Sequence, residues 1–265
     1  MIPHVHTRTL GSGPRPALAI HCSLGHSGAW RGLNDAMDGA VTLHAYDLPN
    51  HGKSGDWDGQ GVMHDTATDM ALSVLDMIGE RPVDILGHSF GATVALRLAI
   101  EHPTRVRSAA IYEPVYFAPV MADDPTFGPR YTSTTVDFEH AIDAGDFEAA
   151  ARAFNATWAD GPAWEDIPPA NRKYMTDRIM FVRNSASFLV HDSANLLARN
   201  AFSHATMPIL LFAGARSPWA APVNDAIACR LPDATQITLD GIGHMGPLTH
   251  PDVVARHWSA FLERV

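Results

Sequence analysis

The sequence predicts an α/β fold, a mainly parallel sheet flanked by helices and interrupted by a helical insertion. Three observations carry this expectation. Short apolar runs alternate with helix-period stretches over residues 1–117. The strand rhythm stops over residues 118–203 and returns over residues 204–265. With 265 residues, 46% hydrophobic and 18% charged, the chain can bury one substantial core and is not of disordered composition.

In chain order, His4 and His6 fall on an N-terminal strand, and Ala17 to His21, Val41 to Tyr46, Val83 to Leu86 and Val106 to Tyr112 read as further strands. Between them, Ala29 to Met37, Thr66 to Ile78 and Ala92 to Glu101 carry helical periodicity, and His102-Pro103 ends the last. Such alternation favours parallel strands covered on both faces. In the insertion, Asp146 to Trp158, Asn171 to Arg183 and Ser187 to Asn200 read as helices, broken by Pro162, Pro168 and Pro169. At roughly 85 residues this stretch is too long for a plain loop. Ile209 to Ala213 and Gln236 to Leu239 restore the strands, with a helix around Val223 to Arg230 between them. A final amphipathic helix carries Val253, Val254, His257, Trp258, Phe261 and Leu262.

Charge removes several functional classes. Asp+Glu 29 against Lys+Arg 19 gives −10, which repels phosphate backbones and anionic lipid, so neither nucleic acid nor membrane is expected as a partner. No apolar run approaches the ~18 residues of a spanning helix. The N-terminal MIPHVHTRTLGSG has neither the basic nor the apolar region of a secretion signal, so a cytoplasmic location is expected. Cys22 and Cys229 form no metal or redox motif. The histidines are numerous but scattered over different loops, and no metal is expected.

Gly87-His88-Ser89-Phe90-Gly91 fits G-x-S-x-G between a strand and a helix. In that context the turn is tight, the glycines relieve crowding, and the Ser89 hydroxyl projects over the sheet edge. A serine hydroxyl needs a base. His244 follows the last strand and precedes the last helix, among Gly241, Gly243 and Gly246, on a loop at the edge where open α/β sheets bind ligands. The same glycines fit G-x-G-x-x-G, but Pro247 follows and too little chain remains for a dinucleotide unit. The tetrahedral oxyanion would be held by the N–H of Phe90 and by one N–H of the loop after Ala17 to His21. Ser23 is favoured there, with Cys22 and Leu24 as alternatives.

Taken together, HCSLGHSGAW (21–30), DLPNHGKS (47–54), GHSFGATVA (87–95) and GIGHMGPLTHP (241–251) resemble the α/β-hydrolase fold family over nearly the whole chain. In DLPNHGKS, Asn50 replaces the first glycine of the family's D-x-P-G-x-G-x-S. The SLG…W stretch around Ser23 and Trp30 also resembles enol-lactone hydrolases, faintly. The resemblance implies a Ser–His–acid triad, a helical cap inserted after the sixth strand, and esterase-like chemistry without a cofactor. The family's usual acid position, after the seventh strand, falls in Gly214-Ala215-Arg216-Ser217-Pro218, where Ser217 is no carboxylate. Glu113, directly after Val106 to Tyr112, is the favoured acid, with Asp225 and Asp240 as rivals.

The expectation is therefore a serine hydrolase with Ser89, His244 and Glu113 as triad, acting on an ester or lactone of a small, partly apolar molecule. Leu24, His88 and Met245, beside these groups, and Trp158, Met180 and Phe188 of the insertion are expected to contact substrate, with Trp164 and Phe181 in the same apolar set. A C–C hydrolase or a cofactor-free haloperoxidase would keep the same Ser and His. A non-catalytic receptor on this scaffold would not need the full triad. A dehalogenase or epoxide hydrolase is disfavoured, because those use Asp where Ser89 stands.

Overall fold

A computed structural model describes residues 2–159 and 161–265. Its sheet has seven strands: β1 (Thr7–Leu10), β2 (Arg15–Ile20), β3 (Val41–Tyr46), β4 (Val83–His88), β5 (Val106–Tyr112), β6 (Ile209–Gly214) and β7 (Ala234–Leu239). They lie in the order β1-β3-β2-β4-β5-β6-β7, and only β1 runs antiparallel to its neighbour. The central strands read as near-continuous apolar runs because both faces are covered; β4, VDILGH, is buried at every residue. Strand order reverses at β2, so a crevice opens at the carboxyl ends of β2 and β4, the position that favours ligands in open α/β sheets.

One face is covered by α1 (Arg31–Ala36) and the C-terminal helix α11 (Pro251–Leu262), which bury Trp30, Leu33, Val254 and Trp258 against β2 and β3. The other carries α2 (Met63–Ile78), α3 (Phe90–Glu101) and α9 (Ala220–Ala228). The expected Ala29 to Met37 helix splits into a 3-10 turn, Ser27–Trp30, followed by α1. The expected N-terminal strand begins at Thr7, so His4 and His6 precede it. At the other end of the sheet, Asp84 of β4 is fully buried and accepts hydrogen bonds from Arg15, Arg107 and Ser108. Arg15 also donates to the Leu262 and Val265 carbonyls and so ties the C-terminus to β2.

Between β5 and β6 lie α4 (Ala118–Asp123), α5 (Phe127–Asp143), α6 (Phe147–Trp158), α7 (Pro169–Thr176) and α8 (Met180–Leu189). They follow the expected strand, Val106–Tyr112, which is fifth of these seven and sixth only in the family's count. Asp146 caps α6 by accepting from Ala149 N–H at 3.0 Å. Asn171 to Arg183 is two helices rather than one, and no helix runs from Ser187 to Asn200. Asp192 takes a left-handed backbone angle (φ 49°) and its N–H bonds back to the Phe188 carbonyl, which ends α8, and Asn195 (φ 59°) turns the chain again beyond it. The Asp192 carboxylate then accepts from the Leu196 and Leu197 amides and from the Tyr116 hydroxyl. Phe138, Ala150, Ala151, Trp164 and Ile179 form a small core within this stretch, separate from the two sheet cores. One short helix, α10 (Gly246–Thr249), directly precedes α11.

Candidate active site

The turn from β4 to α3 is forced by close packing. A Cβ on Gly87 would lie 2.5 Å from the Gly91 carbonyl oxygen, and one on Gly91 would lie 2.5 Å from that of His21 and closer still to that of Ile20. Only glycine lets α3 approach β2 and β4 this tightly. Between the glycines, Ser89 is held at φ 55°, ψ −117°, a region costly for a residue with a side chain, and its N–H donates to the Tyr112 carbonyl at 2.9 Å. Phe90 is the first residue of α3, whose N–H a helix leaves unpaired and partly positive.

Glu113 also takes a left-handed backbone angle (φ 45°), which turns its side chain back over the ends of β5 and β6. One carboxylate oxygen accepts from the Gly214 amide at 2.7 Å and the other from His244 Nδ1 at 2.7 Å, with Glu113 4% and His244 6% exposed. An imidazole that donates at Nδ1 keeps its lone pair on Nε2. The rival acids lie elsewhere: Asp225 is exposed and accepts from Gln236 at 3.1 Å, and Asp240 is exposed beside its strand end. The His244 loop is pinned from below by Tyr112 Oη, which donates to the Gly243 carbonyl at 2.7 Å, and by His88 Nε2, which donates to the His244 carbonyl at 2.8 Å.

The loop after β2 is braced against the loop after β3 by two histidines working in opposite directions. His21, from the first loop, donates from Nδ1 to the Cys22 carbonyl (2.7 Å) and accepts at Nε2 from the Leu48 amide of the second (3.0 Å). His51, from the second, donates from Nδ1 to the Pro49 carbonyl (2.8 Å) and accepts at Nε2 from the Leu24 amide of the first (2.9 Å). Each ring is neutral, since a protonated one has no lone pair for its amide. Burial pushes the His21 pKa down to about 4, and burial with the neighbouring His21 pushes His51 well below its ordinary range. Because the Leu24 N–H is engaged by His51, the favoured oxyanion donor on this loop, Ser23, is left next to it facing the cavities. Cys22 lies in the same loop with its thiol pushed up to about 12 by burial, which keeps it from acting as a thiolate.

Two cavities meet at Ser89. The wider, about 450 Å³, is lined by His244, Met245, Leu24 and Tyr174. The narrower, about 60 Å³, runs beneath α5 and α8 past Val115, Phe117 and Leu189. Ser23, Ser89, Phe154 and Trp158 line both, and the Trp158 ring lies 5.3 Å from that of His244. Of the expected substrate contacts, Leu24, Trp158 and Met245 therefore reach a cavity. Three do not. His88 is fully buried beneath the His244 loop. Met180, 37% exposed, points to solvent. Phe188 is buried in the main core, stacked on His64 (3.5 Å) and Tyr116 (4.8 Å). Phe181 packs edge-on against His51 and Phe90, and Trp164 is buried in the small core of the inserted helices. Phe154 and Tyr174 were not anticipated. Phe154 lies within the expected helix Asp146 to Trp158, but nothing in the sequence marks Tyr174, whose hydroxyl donates to the Gly25 carbonyl (2.8 Å) and accepts from the Gly52 amide (3.1 Å). Among the described residues, no group of three or more His, Cys, Asp or Glu is placed to hold a metal ion.

Comparison with known proteins agrees with this architecture. The chain is 33% identical over 110 residues to a pimeloyl-[acyl-carrier protein] methyl ester esterase of Nitrosomonas europaea (40% of each protein). It is 32% identical over 170 residues to lipase LipV of Mycobacterium tuberculosis, covering 64% of this chain and 59% of that protein. The chain thus matches about two to three fifths of the length of these relatives. Among solved structures, that of Est816, described as an N-acyl homoserine lactone degrading enzyme, superposes with a TM-score of 0.74 at 18% identity, covering 98% and 97% of the two chains. A hydrolase from Pseudomonas aeruginosa superposes with the same TM-score at 20% identity, over 97% and 94%. With a seven-stranded, mostly parallel sheet and a match to the family's model over residues 17–257, the chain belongs to the alpha/beta hydrolase family.

Proposed function

We propose that the protein is a serine esterase that hydrolyses a carboxylic ester of a small, partly apolar molecule through an acyl-enzyme. Ser89 Oγ attacks the carbonyl carbon as His244 Nε2 takes its proton, and Glu113 holds the imidazole and stabilises its cation. The Phe90 and Ser23 amides receive the oxyanion. His244 then protonates the leaving alcohol, and water, deprotonated by His244, releases the acid. In this reading residues 118–203 are a cap over the site, and 1–117 with 204–265 form the core.

The observation that carries the proposal is the 2.7 Å bond between His244 Nδ1 and Glu113, which leaves Nε2 for the cavity that Ser89 shares. Homology to an esterase and a lipase supports ester over other bonds. The test is covalent labelling. A fluorophosphonate should add once to the wild type and to neither Ser89→Ala nor His244→Ala. An adduct that persists in Ser89→Ala removes Ser89 as nucleophile. Absence of both labelling and 4-nitrophenyl ester hydrolysis in the wild type removes the esterase reading.

A further inference from the structure

The two cavities differ in what they offer, and His244 touches only one of them. We infer that the smaller cavity, the slot, takes the acyl chain and the wide cavity takes the leaving group, so the preferred substrate is an ester of a short acid with a bulky, uncharged, hydrogen-bonding alcohol. This rests on the proposed serine-esterase mechanism.

Proton bookkeeping fixes the orientation. When Ser89 Oγ bonds to the carbonyl carbon, its proton passes to His244. When the carbon–oxygen bond to the alcohol breaks, that proton must pass from His244 to the departing oxygen. The departing oxygen therefore lies within hydrogen-bond reach of the imidazole. His244 and its neighbours Met245 and Leu248 line the wide cavity and are absent from the slot's lining. The carbonyl sits at the junction, over Ser89 and Ser23, and the acyl chain is left with the slot.

Size and chemistry then define each half. The slot's walls are mainly apolar, and its room of about 60 Å³ admits about four to six water-sized groups. Glu139 and Arg183, paired at 2.6 Å and 36% and 44% exposed, stand where it reaches solvent. The wide cavity, about 450 Å³, has the size of a small-molecule site. Asn155, Asn171 and His26 give it hydrogen-bonding edges, and no Asp, Glu, Lys or Arg is among its described lining residues. A phosphate or carboxylate there meets no Lys or Arg among the described lining residues, which leaves its charge poorly compensated, whereas hydroxyl groups find partners.

The test uses the full chain and two substrate series. One varies the acid from acetate to dodecanoate on a constant 4-nitrophenyl group. The other keeps butyrate and varies the alcohol through ethyl, benzyl, naphthylmethyl and 4-carboxybenzyl. Wild type should peak near butyrate to hexanoate and fall at least tenfold by dodecanoate. It should prefer naphthylmethyl and benzyl to ethyl, and discriminate at least tenfold against the carboxylate. Ala186→Phe, in the slot wall, should shorten the acyl optimum by two carbons or more and leave the alcohol ratios within twofold. Asn171→Trp, on exposed α7 in the wide cavity, should do the reverse. Ala186→Leu gives a milder version should the phenylalanine variant not fold. If Ala186→Phe instead changes the alcohol ratios and Asn171→Trp the acyl optimum, the orientation is inverted and the inference is wrong. A flat acyl profile, or equal rates for benzyl and 4-carboxybenzyl, also overturns it. Those outcomes leave the esterase reading standing, whereas no turnover and no fluorophosphonate adduct would remove the reading itself.

Discussion

Replacing Glu113 by glutamine probes the site at its least interchangeable atom. The carboxylate presents two acceptor oxygens to two N–H donors, Gly214 N and His244 Nδ1, both at 2.7 Å. An amide has one acceptor oxygen and one donor NH₂. With its oxygen on Gly214, the NH₂ faces His244 and drives the ring proton from Nδ1 to Nε2, so no lone pair faces Ser89. With its oxygen on His244, the NH₂ opposes the buried Gly214 amide, at about 1–3 kcal/mol for the unsatisfied pair. The negative charge that supports the imidazolium is lost either way. The same acid-to-amide change in a serine protease triad lowers kcat about 10⁴-fold, or about 5.5 kcal/mol at ~1.4 kcal/mol per decade. Glu113→Gln should therefore lose about three to four decades in kcat on 4-nitrophenyl butyrate, with a far-UV spectrum like the wild type's. Asp225→Asn and Asp240→Asn should stay within about tenfold. A Glu113→Gln enzyme within tenfold of wild type, or a crippled Asp225→Asn or Asp240→Asn, refutes Glu113 as the acid.

The histidine brace makes two further predictions. His51→Leu leaves the Leu24 amide without its acceptor and should lower kcat by about 10- to 100-fold with little change in KM, less than the 10²–10³ for deleting an oxyanion donor outright. His51→Gln, which can still accept that amide, should recover most of the loss, and equal defects in the two variants would show that only the ring's packing matters. His21, at about 4 when folded against 6.5 ordinarily, contributes its full stabilisation above pH 6.5 and loses it as pH falls from there towards 4. The pH dependence of urea unfolding should therefore include about 3 kcal/mol lost in that window. His21→Asn should flatten the curve, and an unchanged slope there would mean that His21 does not titrate as argued. Gly91→Ala places a methyl against the Ile20 and His21 carbonyls and should cost about 3 kcal/mol or more, read as a lowered Tm or no folded product; a Tm within a degree of wild type would mean that α3 can shift away.

The parts of the fold legible in the sequence are those where periodicity and turn chemistry agree. The central strands are apolar on both sides, and Gly87 and Gly91 sit where the backbones nearly touch, so strand, turn and helix specify one another. Legibility falls off in the inserted helices. α5 reads FGPRYTSTTVDFEHAID, with glycine, proline and a Thr/Ser cluster where a helix is not expected, and packing against α6 stabilises it nonetheless. On α8 the apolar residues were legible but their directions were not. Phe181 and Phe188, seven residues apart, face the main core. Val182, Ala186 and Leu189, at helical spacing on another side, face the slot, and Met180 faces water. An amphipathic pattern marks a buried face, but with buried surfaces on two sides it does not say which meets the substrate. Asn50 shows the opposite case. The departure from the family's glycine is absorbed because asparagine tolerates φ 67°, and its side chain accepts from the Trp57 amide at 2.8 Å.

Two of the fifteen histidines, His21 and His51, have a bracing role that involves no metal. A metal ligand offers a ring lone pair, but the lone pairs of His21 and His51 already accept backbone amides. Buried histidine suits these positions because one planar ring can donate to one loop and accept from another at fixed separation. The cross-bracing serves a strained neighbourhood. Leu24, Ser89 and Glu113 all take left-handed backbone angles, each unfavourable alone by about 1–3 kcal/mol. Strain of that size relaxes unless surrounding bonds over-determine the geometry, and each of these three residues is gripped from outside its own loop: Leu24 by His51, Ser89 by the Tyr112 carbonyl, Glu113 by Gly214 and His244. The grip depends on His21 and His51 staying neutral, because a proton on either ring removes the acceptor its partner amide requires. Rigidity of the loop after β2 and tolerance of acid are therefore opposed in this protein. A screen for activity at low pH should recover changes at His21 and His51 before it recovers changes at Ser89, Glu113 or His244.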